Sequence, residues 1–258
     1  MEDGRTFDAV AAAYDAQRSG YPDELFADLS AIAELDSGAR VLEVGCGSGQ
    51  ATAGLASRGF DVTAIDPGPS LIAIARLRFE HSSSVRFAVS TFEDWWAPSD
   101  GFRLLAAAQS WHWVRPDIGY GKAAKALGFK GRLAVFGHTP RWSTELLGCL
   151  EPAYRRLAPE MWAAPAENWY LSAGPVSNLM TGSGYFADVV HRDYAWTRRY
   201  SASSFAAYLG TRSDHLRLPP ERRRNLLAAI KASLPREIDA DWVTNLYVAT
   251  ARRPVRGD

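Results

Sequence analysis

The stretch RVLEVGCGSGQ, residues 40–50, decides the fold that we expect for this chain. Its first half is a short apolar run typical of a buried parallel strand, formed by Val41, Leu42 and Val44. Its second half places glycine at alternate positions, Gly45, Gly47 and Gly49, where the main chain can take positive φ and admit a ligand closely. The following residues, 51–58, have helical character. The pattern predicts a strand, a ligand-cradling turn and a helix.

Two acids indicate which ligand the turn holds. A dinucleotide site favours GxGxxG and places a pyrophosphate at the helix start, whereas this turn is GxGxG and Glu43 would repel that pyrophosphate. Asp66 ends the apolar run DVTAID, 17 residues after Gly49, where doubly wound folds place an acid against ribose hydroxyls. The two acids together indicate an adenosine that carries a cationic, phosphate-free tail.

Strand-like and helix-like segments alternate along the first half of the chain. The strand-like segments are VLEVG, DVTAID, VRFAVS, FRLLAAAQ and GRLAVFG, and helical stretches such as PSLIAIARLRFE and IGYGKAAKALGF lie between them. This alternation predicts an α/β fold, a Rossmann-like doubly wound sheet that is mostly parallel. Two further strand-like segments come late, at 189–200 and 241–252.

Several ordered motifs resemble the class I S-adenosylmethionine (SAM) dependent methyltransferases, especially the small-molecule group that includes trans-aconitate methyltransferase-like proteins. The matching segments are FDAVAAAYDAQRSGYP at 7–22, VLEVGCGSGQAT at 41–52, Asp66 with Pro67, STFEDWW at 90–96 and AAAQSWHWV at 106–114. The resemblance covers the chain well up to residue 137 and only loosely beyond it. It implies SAM as cofactor, S-adenosylhomocysteine as product, and antiparallel pairing of the late strands at one sheet edge.

The resemblance also implies roles for individual residues around the cofactor. The turn, with Cys46 and Gln50 among its residues, would line the methionine portion and the ribose, and Glu43 would lie near the ammonium group. Asp66 would accept both ribose hydroxyls. The remaining cofactor contacts implied are Pro67, Thr91, Phe92 and Glu93 around the adenine, and Gln109 and Ser110 near the methionine end.

We expect an N-terminal cover helix over residues 5–30. Tyr14 and Arg18 share one face of such a helix, at positions i and i+4. In the resembled family this helix closes over the cofactor, so Arg18 would pair with the methionine carboxylate and Tyr21 would face the substrate. An ordinary amphipathic helix that only covers the core is the alternative.

The segment after the fourth predicted strand supplies the candidate base. His112 is the side chain there that can accept a proton near neutral pH, and Trp111 and Trp113 would wall the path of the methyl group. A histidine that is packed and hydrogen-bonded between tryptophans is the alternative. His138 follows the fifth predicted strand and can reach the same crevice. The histidines show no metal-ligand spacing, so we predict no metal site.

An aromatic insertion at residues 139–182 interrupts the alternating pattern. Prolines and aromatic side chains are dense there, among them Trp142, Trp162 and Trp169. Such a segment packs over something, because its aromatic surface would otherwise be bare. We expect either a lid that forms the substrate pocket or a satellite core beneath the insertion, and the sequence does not favour one of them.

Composition sets the broad class. With 258 residues, 47% of them hydrophobic, the chain suits a single domain over residues 1–258. Its net charge is zero, which argues against nucleic acid or an anionic membrane as partner, and oligomeric state stays open. Two cysteines and the absence of a basic, apolar leader or a long apolar run predict a soluble cytoplasmic protein.

We therefore expect a SAM-dependent methyltransferase that acts on an oxygen, nitrogen or carbon atom of a small aromatic or apolar metabolite. A non-catalytic SAM-binding or partner module is one alternative. A nicotinamide-dependent oxidoreductase is another, although its GxGxxG turn is missing. The sequence leaves open the acceptor, the atom that is methylated and the need for a general base.

Overall fold

The computed structural model describes residues 4–99, 101–163, 169–172 and 174–253. Within these residues seven strands form one sheet in the order β3-β2-β1-β4-β5-β7-β6, in which β7 runs in the opposite direction to the other six. The strands are β1 Arg40–Val44, β2 Asp61–Asp66, β3 Val85–Val89, β4 Leu104–Ala108, β5 Arg132–Pro140, β6 Phe186–Ser201 and β7 Glu237–Ala251. The Rossmann-like, mostly parallel sheet predicted from the sequence is confirmed.

Helices cover both faces of this sheet. They are α1 Ala11–Gln17, α2 Asp23–Ile32, α3 Gln50–Ser57, α4 Pro69–Arg78, α5 Pro116–Leu127, α6 Thr144–Leu157, α7 Pro159–Ala163, α8 Val176–Gly182, α9 Ala202–Gly210, α10 Ser213–Leu216 and α11 Pro220–Ser233, with 3₁₀ helices at Gly4–Val10 and Trp111–Trp113.

The core follows from the two-residue period of the central strands. In β1, Val41 packs on one face with α2 and α3, whereas Leu42 and Val44 pack on the other face with α5 and α8. All three side chains are at most 3% exposed. A strand that is buried on both faces reads as a continuous apolar run, which is why the sequence reveals it so clearly.

The two late strands pair as expected and are longer than predicted. β6 and β7 are antiparallel from Phe186 opposite Ala251 to Ser201 opposite Glu237, with a bulge between Ala187 and Val190. Since β7 pairs with β5 on its other side, the antiparallel strand lies one place in from the sheet edge, and β6 forms the edge itself.

The predicted cover helix over residues 5–30 is wrong as a single element. A 3₁₀ helix and α1 precede a break, after which α2 begins at Asp23. Arg18 is extended at φ −82° and ψ 130°, and Pro22 is extended at φ −54° and ψ 138°. The sequence RSGYP explains the break, because glycine weakens a helix and the residue before proline avoids helical angles.

The aromatic insertion mainly builds a second core. Trp142 contacts Phe205 edge-on at a centroid distance of 5.3 Å, and Trp162 stacks on Tyr154 at 5.7 Å. These side chains pack with α9 and α11, whereas Val176 of α8 joins the main core. Residues 164–168 and 173 of the predicted insertion lie outside the described residues. The described part corresponds to the satellite-core alternative.

Within the described ranges no helix is both long and apolar enough to cross a membrane.

Candidate functional site

The glycine turn, residues 45–49, lies where β1 ends and α3 begins. Gly45, Gly47 and Gly49 have φ of 69°, 56° and 92°, so all three occupy the left-handed region as expected. A Cβ on Gly45 would come within 2.3 Å of Ser110 Cβ, which makes glycine a steric requirement there. The turn thus presents main chain at the carboxyl ends of the strands, where open α/β sheets bind ligands.

Asp66 is buried directly beside this turn. One carboxylate oxygen accepts the N–H of Gly47 at 2.9 Å, and the other accepts the N–H of Gly68 at 2.8 Å. Burial raises the pKa of Asp66 to about 6, although both hydrogen bonds act in the opposite direction. The structure therefore brings the two predicted anchors together, since Asp66 itself braces the glycine turn.

Glu43 is fully buried at the base of the turn. Its Oε2 accepts a hydrogen bond from Thr52 Oγ1 at 2.6 Å, while Oε1 has no partner among the described residues. Burial raises the pKa of Glu43 to about 8. A half-satisfied buried carboxyl is costly to the fold alone, so its free oxygen suits a cationic ligand group.

The N-terminal segment, residues 4–22, covers the turn. A Cβ on Gly47 would lie 3.6 Å from the Tyr14 ring, and the Arg18 guanidinium lies over that ring at 4.7 Å. Arg18 donates one hydrogen bond to the Thr211 carbonyl, at 2.9 Å, whereas its Nε has no partner in the described part of the chain. The predicted face that Tyr14 and Arg18 share is therefore turned toward the site.

One cleft joins the glycine turn to a wall of aromatic side chains. It encloses about 530 Å³ of empty space, part of it open to solvent. The aromatic wall consists of Trp196 and Tyr200 of β6, Tyr208 of α9 and Trp242 of β7. The other lining residues are Tyr14, Arg18, Ser19, Tyr21, Glu43, Gly45, Cys46, Gln50, Ala51, Ala108, Gln109 and His138.

Unpartnered polar atoms concentrate in this cleft. Among the described residues nine buried side-chain nitrogen or oxygen atoms lack a hydrogen-bond partner. Four of them belong to residues that line the cleft, namely Arg18 Nε, Glu43 Oε1, His138 Nε2 and Trp242 Nε1. Each buried polar group without a partner costs about 1–3 kcal/mol, so this clustering makes the cleft the candidate ligand site.

Gln109 and Ser110 follow β4 and have different surroundings. Gln109 lines the cleft with φ of +54°, a conformation that is uncommon for a residue with a side chain. Its N–H donates to the Phe136 carbonyl at 2.8 Å. Ser110 is buried, and its hydroxyl donates to the Val44 carbonyl. Ser110 thus ties β4 to β1 beneath the turn, and Gln109 faces the cleft.

The predicted adenine contacts lie outside this cleft, Pro67 directly after β2 and the other three in the loop after β3. Thr91 Oγ1 donates to Asp94 at 2.8 Å, and Glu93 accepts the N–H of Arg115 at 2.8 Å. Phe92 is buried against Trp111, with centroids 5.8 Å apart, and Pro67 is half-buried. The side chains of Thr91 and Glu93 are therefore already engaged in holding the loop and the start of α5.

The structure does not bring His112 to the cleft. Its Nδ1 lies 2.9 Å from the Tyr170 hydroxyl, its ring contacts Trp113 and Trp169, and burial lowers its pKa to about 4. Trp111 is 2% exposed inside the main core. This arrangement is the packed, hydrogen-bonded alternative for His112, because the 3₁₀ helix turns the segment toward the core.

Of the predicted substrate residues, Tyr21 lines the cleft, whereas Trp111, Trp113, Trp142, Trp162 and Trp169 do not. Sequence analysis missed the aromatic wall and gave His138 only a minor place. A signal was present in β6, where Trp196 and Tyr200 stand four residues apart and so share one face of a strand.

Comparisons with known proteins match this chain to methyltransferases. A family model described as a methyltransferase domain matches residues 41–128. An uncharacterized methyltransferase of Mycobacterium bovis is 25% identical over 231 residues, which is 89% of this chain and 85% of the relative.

Solved structures give the same fold. A putative type II methyltransferase from Anaeromyxobacter dehalogenans has a TM-score of 0.63 at 25% identity and covers 92% of this chain and 97% of its own. A phosphoethanolamine N-methyltransferase of Haemonchus contortus, solved with SAM, has a TM-score of 0.58 at 15% identity and covers 98% of this chain and 61% of its own.

Together these matches support a class I SAM-dependent methyltransferase. These matches do not single out the trans-aconitate methyltransferase-like group, so that finer resemblance stays a prediction.

Proposed function

We propose that this methyltransferase binds SAM at the glycine turn and transfers the methyl group to a small aromatic or apolar molecule held by the aromatic wall. The observation that carries the proposal is the set of unpartnered polar atoms in one cleft, three of them on nitrogen and one on a carboxyl oxygen. SAM carries both a carboxylate and an ammonium group, so it can supply partners of both signs.

The donor end of the cleft fits the methionine portion of SAM. The free Oε1 of Glu43 would accept from the ammonium group, and the Arg18 Nε–H would donate to the carboxylate. The turn brings main chain within reach, since a Cβ at Gly45 has no room. Asp66 would accept the ribose hydroxyls, for which its two oxygens retain lone pairs beyond their backbone hydrogen bonds.

The acceptor end fits a flat or apolar molecule. Trp196 and Trp242 stack with centroids 5.7 Å apart and planes 16° apart, which gives the wall a rigid aromatic surface. Tyr208 packs edge-on against Trp242 at 5.4 Å. Such a surface favours aromatic ring systems, and the narrow cleft favours a small molecule over a macromolecular acceptor.

The chemistry depends mainly on alignment. Bound SAM supplies a methyl group on a positively charged sulfur. The cleft orients the acceptor and excludes water, and positioning of this kind is worth roughly 7–11 kcal/mol in favourable cases. Burial lowers the pKa of His112 to about 4 and that of His138 to about 3, so neither imidazole is matched to general-base work near neutral pH. Acceptors that are ionised or carbon nucleophiles need no base.

Isothermal titration calorimetry with SAM tests the proposal. We expect saturable binding, weakened at least about tenfold by Asp66→Asn, because one carboxylate oxygen is lost beside the turn. Asp61→Asn at the other end of β2 is the matched control, since the half-buried Asp61 pairs with Arg86 away from the cleft. Absence of binding by the wild-type protein at millimolar SAM would exclude the proposed site.

A further inference from the structure

His138 is held in a fixed orientation in the cleft. Its ring stacks on Tyr21 at a centroid distance of 4.4 Å and 25° between planes, and Trp196 contacts it edge-on at 4.9 Å. In the sheet it stands directly opposite Thr244 of β7. Because these contacts fix the ring, its Nδ1 faces Thr244 of β7 and its Nε2 lies on the side away from Thr244.

A chain of hydrogen bonds indicates which nitrogen of the His138 ring carries the hydrogen atom. Trp196 Nε1 donates to Thr244 Oγ1 at 2.9 Å, and Thr244 Oγ1 lies 2.8 Å from His138 Nδ1. Because an indole N–H can only donate, the buried hydroxyl needs an acceptor for its own hydrogen, and Nδ1 is the acceptor that the described residues offer. The neutral ring then carries its hydrogen on Nε2.

Two buried N–H groups therefore belong to residues that line the cleft. His138 Nε2 and Trp242 Nε1 are both buried, and neither forms a hydrogen bond to any residue in the described ranges. Their rings lie 6.4 Å apart and both line the cleft. The Gly20 carbonyl lies near His138 without meeting hydrogen-bond geometry, and its influence raises the pKa of His138 against the larger effects of burial and Arg18.

We propose that His138 is a positioning residue for the methyl acceptor, whose oxygen accepts a hydrogen bond from His138 Nε2–H, with Trp242 Nε1–H as the second donor. The inference rests on the proposed function, because it concerns the same cleft. Such an arrangement would favour aromatic acceptors with a carboxylate, phenolate or carbonyl oxygen over amines. Two N–H donors and the nearby Arg18 charge disfavour an ammonium group.

This chain of hydrogen bonds is tested by nitrogen NMR of the histidine rings in the protein saturated with S-adenosylhomocysteine. We expect His138 to carry its hydrogen on Nε2, and Thr244→Val to mix the two tautomers. Thr197→Val is the control, because Thr197 bonds to Asp241 on the exposed part of β6. A hydrogen on Nδ1 in the wild-type protein would overturn the assignment.

The donor role is tested with benzoate and benzylamine as probes of similar size. Benzoate should shift the His138 Nε2–H and Trp242 Nε1–H resonances, and benzylamine should not. His138→Phe should weaken benzoate binding by about tenfold or more. His191→Phe serves as control, since His191 stacks on Tyr247 at 4.7 Å and lies outside the cleft.

Two failures can be told apart in the same samples. If calorimetry detects no S-adenosylhomocysteine binding, the proposed function fails. If S-adenosylhomocysteine binds but benzoate shifts neither resonance, or binds His138→Phe as well as the wild-type protein, the donor role of His138 fails alone.

Discussion

The Asp8 carboxylate caps the start of α4, where it accepts the backbone N–H of Ser70 at 2.7 Å. The same carboxylate oxygen accepts the N–H of Leu71 at 3.2 Å, and the other accepts the Ser70 hydroxyl at 3.1 Å. Helix starts leave N–H groups without intrahelical partners, so this contact stabilises α4 and fixes the N-terminal segment at the same time. A residue near the start of the chain thus closes over the edge of the site beside Asp66.

Replacing Asp8 should loosen that closure. For Asp8→Ala we expect a loss of about 0.5–2 kcal/mol in the free energy of unfolding, as for other lost helix caps, together with weaker SAM binding. Chemical denaturation and calorimetry measure the two effects. Asp23→Ala is the control, because Asp23 begins α2 and pairs with Arg58 at an exposed position. Unchanged SAM affinity in Asp8→Ala would show that closure of this segment does not contribute to binding.

Gly45 should not tolerate a side chain. Gly45→Ala places a Cβ within 2.3 Å of Ser110 and forces alanine to φ of +69°, so we expect a loss of about 1–3 kcal/mol or more in stability. Gly148→Ala is the matched control, since Gly148 lies inside α6 with open space around it and should be neutral or slightly stabilising. Thermal unfolding measures the stability of both variants. Equal melting temperatures for Gly45→Ala and Gly148→Ala would contradict the prediction.

Glu43 should make stability depend on pH. Its pKa is about 8 in the folded chain and near 4.5 when exposed, so between these values the folded state binds more protons and the free energy of unfolding falls as pH rises. The full interval corresponds to about 5 kcal/mol at about 1.36 kcal/mol per pKa unit. Glu43→Gln should gain stability relative to wild type from pH 5 to pH 8. If the free energy of unfolding changed with pH in the same way in both proteins, Glu43 would not be the source of the pH dependence.

Binding of SAM should also release a proton near pH 7. Because the raised pKa keeps the Glu43 carboxyl largely protonated there, a cationic ammonium group beside it favours the carboxylate and lowers the pKa. The apparent binding enthalpy should therefore differ between phosphate and Tris buffers in proportion to their ionisation enthalpies. Glu43→Gln should remove most of that difference, whereas a buffer-independent enthalpy in the wild-type protein would place the ammonium group elsewhere.

The glycine turn and the two acids beside it were largely predictable from the sequence. Gly45, Gly47 and Gly49 all have positive φ, which favours glycine for a local reason, and Asp66 ends a strand that its apolar pattern reveals. Constraints of this kind act within a few residues of the chain, so a short stretch of sequence is enough to recognise them. The structure brings Glu43 and Asp66 to the turn because parallel neighbouring strands end at the same sheet edge.

The acceptor side depends on contacts between distant segments, which one sequence does not reveal. His112 stood in a recognisable motif, yet its 3₁₀ helix turns it toward Tyr170, while His138 reaches the cleft through pairing with Thr244, 106 residues away. By contrast, the break at Gly20 and Pro22 had a local signal in the sequence, which the prediction of a single long helix did not take into account. Long-range contacts therefore determine the positions of the two histidines, whereas the helix break depends on local sequence.

The aromatic wall has a consequence for how this protein can diversify. The matched methyltransferase domain ends at residue 128, whereas Trp196, Tyr200, Tyr208 and Trp242 all come later in the chain. In the proposed function, the glycine turn with its two acids and the aromatic wall thus lie on separate stretches of the chain. Mutation can retune the wall while the methyl-donor machinery stays constant, so relatives with the same glycine turn can evolve to modify chemically unrelated compounds.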